Sequence, residues 1–204
     1  MNDATPAMTA DLADVRALMP ARGDLWVFGY GSLMWDPGFA HVAAERATVF
    51  GFHRAFCMYS QRHRGTAARP GLVLALDRGG SCHGMAYRVT RGRAQDVLDY
   101  LWDREIALYG YQPQQVRVRL PDGEAVAGAT FVADRGHSSY AGRLAPEELA
   151  RIIRGAHGGR GSNRDYLANT VRHLAEFGIT DGPIHALLRR VDALDGADRG
   201  LSRK

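Results

Sequence analysis

Lysine is all but missing from this 204-residue chain: Lys204, the last residue, is the only one. That excludes a Walker-type phosphate lysine, a Schiff-base lysine and an internal lysine acting as a base. Cysteine is nearly as scarce. Cys57 and Cys82 form no CxxC pair and read as buried free thiols of a reducing compartment. Eight histidines are present, yet there is no His-Glu-x-x-His and no close His/Cys cluster, so no metal is expected. No apolar run approaches the ~20 residues that span a bilayer. The stretch from Met1 to Ala21 carries acids at Asp3, Asp11 and Asp14 and lacks the basic start and apolar core of a secretory signal. A cytoplasmic protein with no membrane partner is expected.

What is present describes an ordinary globular chain, 46% hydrophobic and 24% charged, of a size that suits one domain with a substantial core. The formal charge of +4 raises the question of nucleic acid. The basic residues are scattered, however, with no run longer than Arg189-Arg190, whereas a binding stripe clusters them. No nucleic-acid partner is expected.

Residues 1–23 read as a flexible N-terminal arm with a helical patch from Leu12 to Met19, residues 24–194 as a single domain, and residues 195–204 as a frayed C-terminal tail. Strands come first: Trp26 to Phe28, Thr48 to Tyr59 with a bend at Gly51, and Leu72 to Leu76. After a turn at Asp77-Arg78-Gly79-Gly80, Cys82 to Val89 follows. A helix is expected from about Arg93 to Leu108. Gln115 to Leu120 alternates strictly, and the turn Pro121-Asp122-Gly123 should return Glu124 to Val132 as its hairpin partner. Helices opened by Pro146, Asn163 (to about Phe177) and Pro183 (to about Leu194) complete the chain. Strands clustered before helices argue for an α+β fold, and short glycine-bent strands suit a small, partly closed barrel.

Two stretches carry chemistry. The first is Trp26-Val27-Phe28-Gly29-Tyr30-Gly31-Ser32-Leu33, a strand running into glycines. Such an end exposes backbone N–H groups suited to an anion, though a plain glycine turn has the same look. A dinucleotide fingerprint fails because Met34 stands where its third glycine belongs, and the nucleophile elbow fails at the same residue. Ser32 is therefore read as a binding group. The second stretch is a helix whose apolar stripe is Val97, Leu98, Leu101 and Trp102. Glu105 is the next member of that row, while Asp99 and Asp103 lie on other faces. Desolvation there raises a carboxyl pKa and makes it a stronger base. A structural glutamate satisfied by a cation fits the same pattern. Arg104, one residue earlier, does not face Glu105 on a regular helix, so such a cation is expected from elsewhere in the fold.

The Gly-Tyr-Gly-Ser-Leu loop closely resembles the signature of the ChaC-like γ-glutamylcyclotransferases. Leu101-Trp-Asp-Arg104-Glu105 with Tyr111 six residues on resembles that family's Leu-x-x-Arg-Glu and following tyrosine. Arg62-His63-Arg64-Gly65-Thr66, Cys82-His-Gly84-Met-Ala-Tyr87 and Asn163-Arg-Asp-Tyr166-Leu167 are also similar, so the resemblance runs from about Trp26 to Phe177. Ala67, where a proline is common, and the loop His137 to Ala141 depart from the pattern.

The resemblance implies a compact mixed β-barrel with surrounding helices. It implies cleavage of glutathione to 5-oxoproline and Cys-Gly, with the glutamyl α-amine attacking its own side-chain carbonyl. No cofactor and no metal take part. Glu105 would be the catalytic acid/base, and Val27, Phe28, Gly29, Tyr30, Gly31, Ser32, Leu33 and Tyr111 the substrate-binding residues. His63 and Arg64, in a glycine-rich loop, admit either plain solvation or a bond to a substrate carboxylate. Gly158-Gly-Arg-Gly161 reads as a connector rather than a phosphate cradle, since no strand precedes it. The same chemistry on another γ-glutamyl amine stays open. So does a non-catalytic binding module, although a binder of acids gains nothing from a buried carboxylate.

Overall fold

The computed structural model describes residues 10–106 and 110–201. The fold is α+β: the first five strands form a closed barrel, with one helix before it and one between its third and fourth strands, and the last three helices follow the fifth strand. In chain order these are α1 (Leu12–Arg16), β1 (Leu25–Gly29), a 3₁₀ turn (Ser32–Met34), β2 (Ala43–Ser60) and β3 (Gly71–Val89). Then come α2 (Arg91–Leu101), a π-helical turn (Trp102–Ile106), β4 (Tyr111–Arg119) and β5 (Ala125–Ala133). The chain ends with α3 (Pro146–Gly155), the two-residue strands β6 (His157–Gly158) and β7 (Gly161–Ser162), α4 (Asn163–Glu176) and α5 (Gly182–Leu201). The described residues fall into two compact units, the first within 10–53 and 76–140, the second within 54–75 and 141–201.

The barrel strands are ordered β1-β3-β2-β4-β5; the first unit holds β1, β4, β5, β2 up to His53 and β3 from Leu76. Alternation in β4 buries Val116 and Val118 and leaves Arg117 and Arg119 exposed. The turn around Gly123 returns the chain as β5, with Tyr111 opposite Ala133 and Arg119 opposite Ala125. β1 pairs antiparallel with β3, Val27 opposite Tyr87, and parallel with β5, Trp26 opposite Gly128 and Val27 opposite Ala129. Val27, Phe28, Leu76, Val118 and Phe131 are fully enclosed in this unit, each side chain contributing about 1.5–3 kcal/mol. At α1, Asp11 and Asp14 cap each other's backbone N–H. Arg16 there holds Asp99 of α2 through two 2.9 Å bonds.

One strand boundary differs from expectation. Asp77-Arg-Gly-Gly80 does not end a strand; β3 continues through it to Val89. Gly79 and Gly80 adopt positive φ (102° and 71°), which lets the strand kink without breaking. His53 of β2 bonds the Gly79 carbonyl at 3.0 Å. A pairing partner far away in sequence thus overrides the local turn signal. The expected bend at Gly51 is present, with φ 86° inside a longer β2.

In the second unit, Ala150, Ile153, Leu167, Leu174, Ile184 and Val191 are buried. Asn163 is also fully buried and completes both halves of a backbone amide: its Oδ1 accepts from Leu72 N at 2.6 Å and its Nδ2 donates to Leu72 O at 2.7 Å. Arg54, with no exposed side-chain surface, pairs with Asp181 at 2.6 Å, and Asp181 caps α5 through Ile184 N–H. α5 runs to Leu201, past its expected end near Leu194. Cys57 and Cys82 are buried, as expected. No helix among the described residues is long and apolar enough to cross a membrane.

Candidate active site

The apolar row of α2 buries Val97, Leu98 and Leu101, while Asp99 bonds Arg16 and Gln95 and Asp103 is exposed. The row delivers Glu105 to the interior as the spacing predicts: its side chain is only 12% exposed. Desolvation pushes its carboxyl up to about 6, against the opposing charge and hydrogen bond of Arg104. A group with that pKa is ionised at neutral pH but takes a proton at modest cost.

The cation beside Glu105 corrects the sequence reading. It is the adjacent Arg104, whose Nε lies 3.1 Å from Glu105 Oε1. After Leu101 the helix widens into the π turn Trp102–Ile106. More residues per turn mean a slightly smaller angle between neighbours, and the long Arg104 side chain reaches across the rest to Glu105. The remaining donors of the same guanidinium are also engaged. Nη1 reaches the Tyr100 hydroxyl at 2.9 Å and the Pro37 carbonyl at 3.3 Å, and Nη2 reaches Ser32 Oγ at 3.2 Å. Burial alone would lower the Arg104 pKa, but the Tyr100 bond and the charges of Glu105, Tyr100 and Asp36 raise it on balance.

The glycine segment is built as a strand end folded into a tight turn. Val27 and Phe28 are fully buried in β1, and the Thr130 hydroxyl donates to Phe28 O at 2.9 Å. Gly29, opposite Met85, is the last strand residue; a Cβ there would meet Leu33 Cβ at 3.0 Å, so the chain can double back only over a glycine. Tyr30 and Leu33 are buried, and Gly31 precedes the 3₁₀ turn that starts at Ser32. Such a turn leaves its first N–H groups without an acceptor inside the turn. Tyr87 on β3 locks the far end by donating to Met34 O at 2.6 Å, and burial pushes its phenol up to about 12.

Glu105, Ser32 and the glycine turn are thus brought together, with Arg104 as the link. Tyr111 is buried at the start of β4, the strand that packs against the π turn. Tyr140 is committed to Asp77, donating to Oδ2 at 3.0 Å, while Arg135 holds Oδ1 at 2.6–2.8 Å. Burial would push the Asp77 carboxyl up, yet these bonds and that of Arg78 N–H hold it below the usual range. In the second unit, Arg64 donates to Arg160 O at 2.5 Å and lies over the Tyr166 ring at 5.0 Å. His63 is pushed down by burial and by Arg160, Arg62 and Arg64. The Gly158–Gly161 run is a hairpin whose Gly159 and Arg160 N–H groups donate to Arg62 O and His63 O. Those donors are already spent, which fits a connector rather than a phosphate cradle.

Sequence reasoning missed Arg104, Tyr100 and Pro37 as members of the site. A signal for one of them was present: Tyr100 stands four residues before Arg104, on the same helix face. Among the described residues no three His, Cys, Asp or Glu side chains converge as a metal site requires.

The family model described as ChaC-like protein matches residues 25–194. The glutathione-specific γ-glutamylcyclotransferase of Escherichia coli (strain K12) is 37% identical over 185 residues, covering 91% of this chain and 80% of its own. Glutathione-specific γ-glutamylcyclotransferase 1 of Mus musculus is 35% identical over 173 residues, 80% of this chain and 76% of its own. Among solved structures, a γ-glutamyl cyclotransferase specific to glutathione from yeast superposes with a TM-score of 0.76 at 26% identity. It covers 84% of this chain and 97% of that one.

Proposed function

This chain belongs to the ChaC-like family, and from that premise we propose that it is a γ-glutamylcyclotransferase that cleaves glutathione to 5-oxoproline and Cys-Gly. The observation that carries the reading is the junction of a nearly buried carboxyl, Glu105, with the glycine turn at Ser32 through Arg104. Base and loop belong to one site.

The glutamyl α-amine attacks its own side-chain carbonyl, closes a five-membered lactam and releases the Cys-Gly amine. No water is consumed. At neutral pH the amine is mostly protonated and cannot attack. Glu105, with its pKa raised to about 6, is ionised there and takes that proton; as a neutral acid it returns one to the leaving nitrogen. General acid–base assistance of this kind contributes on the order of 10²–10⁴-fold. Anchoring the substrate α-carboxylate on the N–H groups of the Gly29–Leu33 segment and the Ser32 hydroxyl holds amine and carbonyl in reacting geometry. Donors from the same segment and Tyr111 stabilise the tetrahedral oxyanion.

The test is to incubate purified protein with reduced glutathione and follow 5-oxoproline and Cys-Gly by mass spectrometry, with and without a chelator. Both products should form at the same rate in either case. Absence of 5-oxoproline from every γ-glutamyl amide tried would remove the enzyme reading.

A further inference from the structure

The Arg104 guanidinium has five N–H donors in a rigid plane, and four contacts fix that plane from different directions. Tyr100, on the same helix, and Pro37, beyond the glycine turn, anchor Nη1. Nη2 meets Ser32 across 72 residues of chain, and Nε faces Glu105. The group is 19% exposed, so these contacts are little diluted by solvent. Two consequences follow from the donor directions. Oε1 of Glu105 is held by the guanidinium, which fixes the carboxylate against Arg104. Ser32 Oγ accepts from Nη2, so the hydroxyl's own proton is directed to a ligand.

We infer that Arg104 is a positioning residue for the reaction: one clamped guanidinium orients the Glu105 carboxylate on one side and makes the Ser32 hydroxyl a donor on the other. This rests on the reading of Glu105 as the proton carrier. A lysine cannot substitute fully, because an ammonium supplies charge without the planar fork. Among the described residues, Tyr100 on the helix and Asp36 from the segment after the turn are the other ionisable groups that act on Arg104. Arg104 is the cation acting on Glu105.

The experiment compares Arg104→Gln, Arg104→Lys and Glu105→Gln in the full chain, measuring kcat, KM, melting temperature and the pH profile of kcat/KM with glutathione. Arg104→Gln should lower kcat roughly 10–100-fold, as misplacement of a reacting group does. It should also raise KM several-fold through Ser32 and move the acid limb above pH 6. Arg104→Lys should bring that limb back toward the parental position while kcat stays depressed. Parental kcat with an unmoved limb in Arg104→Gln overturns the inference even if the melting temperature falls, since that pattern marks a purely structural arginine.

Should Arg104→Gln fail to fold, Tyr100→Phe takes its place. It removes one anchor and keeps the charge, so kcat should drop about 3–10-fold with the limb in place, and parental kcat overturns the inference. Glu105→Gln separates the two readings. Full turnover in that variant discards Glu105 as proton carrier and this inference with it. An inactive Glu105→Gln beside a parental-like Arg104→Gln discards this inference alone.

Discussion

Arg104 and Ser32, 72 residues apart in the chain, are joined by a guanidinium-to-hydroxyl hydrogen bond of 3.2 Å. The direction of that bond decides what the serine can do. A lone pair of Oγ points at a cation, which lowers its nucleophilicity, and the Glu105 carboxylate is itself engaged by the same arginine. Ser32 is built to bind.

Ser32→Ala should therefore act mainly on affinity. A hydrogen bond to a charged group is worth about 1.5–3 kcal/mol, so KM for glutathione should rise roughly 10–150-fold while kcat changes less. Intact-protein mass spectrometry during turnover should find no glutamyl adduct. An adduct on Ser32 would replace the single-step ring closure with a covalent mechanism.

Glu105→Gln keeps size and hydrogen-bonding capacity and loses the base. Arg104 retains the Tyr100 hydroxyl, the Pro37 carbonyl and Ser32 Oγ as neutral acceptors, so the variant should fold. Turnover should fall at least roughly 10²-fold while glutathione still binds, checked by steady-state kinetics and calorimetry. Near-parental turnover would remove Glu105 from the chemistry.

The raised Glu105 pKa carries two pH signatures. Activity should rise with pH through an apparent pKa near 6, because only the ionised carboxylate takes the amine's proton. Stability runs the other way. A carboxyl whose folded pKa exceeds its unfolded value of 4.5 contributes stability fully below that value and loses it as pH rises through about 6. The loss is about 2 kcal/mol at full ionisation. Melting curves of parent and Glu105→Gln should thus differ most in the variant's favour at pH 8 and converge toward pH 4; a constant gap would contradict the shift.

Asn163→Ala tests the second unit by itself. It strands the buried N–H and C=O of Leu72 together, each of which costs about 1–3 kcal/mol when left without a partner. A loss of about 2–5 kcal/mol in urea unfolding is expected. An unchanged midpoint would mean that water replaces the amide.

Local rules reached a long way into this chain. Pro146 and Asn163 open helices where the sequence places them, and β4–β5 forms from the alternation and turn written in Gln115 to Gly123. Glu105 was legible because an acid in an apolar row is conspicuous. What escaped was set by partners distant in sequence or by a change of helical period. The β3 strand crosses Gly79-Gly80 because β2 pairs with it, information that no window around those glycines contains. The Arg104–Glu105 pair depends on a π turn, whereas sequence spacing assumes the regular period throughout. The two-residue strands β6 and β7 are too short to carry a periodicity at all.

The parallel contact of Trp26 with Gly128 and Val27 with Ala129 has a consequence in time. These partners are about a hundred residues apart, so at ~5–20 residues per second the ribosome needs roughly 5–20 s between making one and making the other. During that interval β1 and the glycine turn behind it can pair with β3 on one edge but have no β5 on the other. Non-local closure of this kind slows folding. A nascent chain should therefore become fully protease-resistant around β1 and the glycine turn only after β5 has left the exit tunnel.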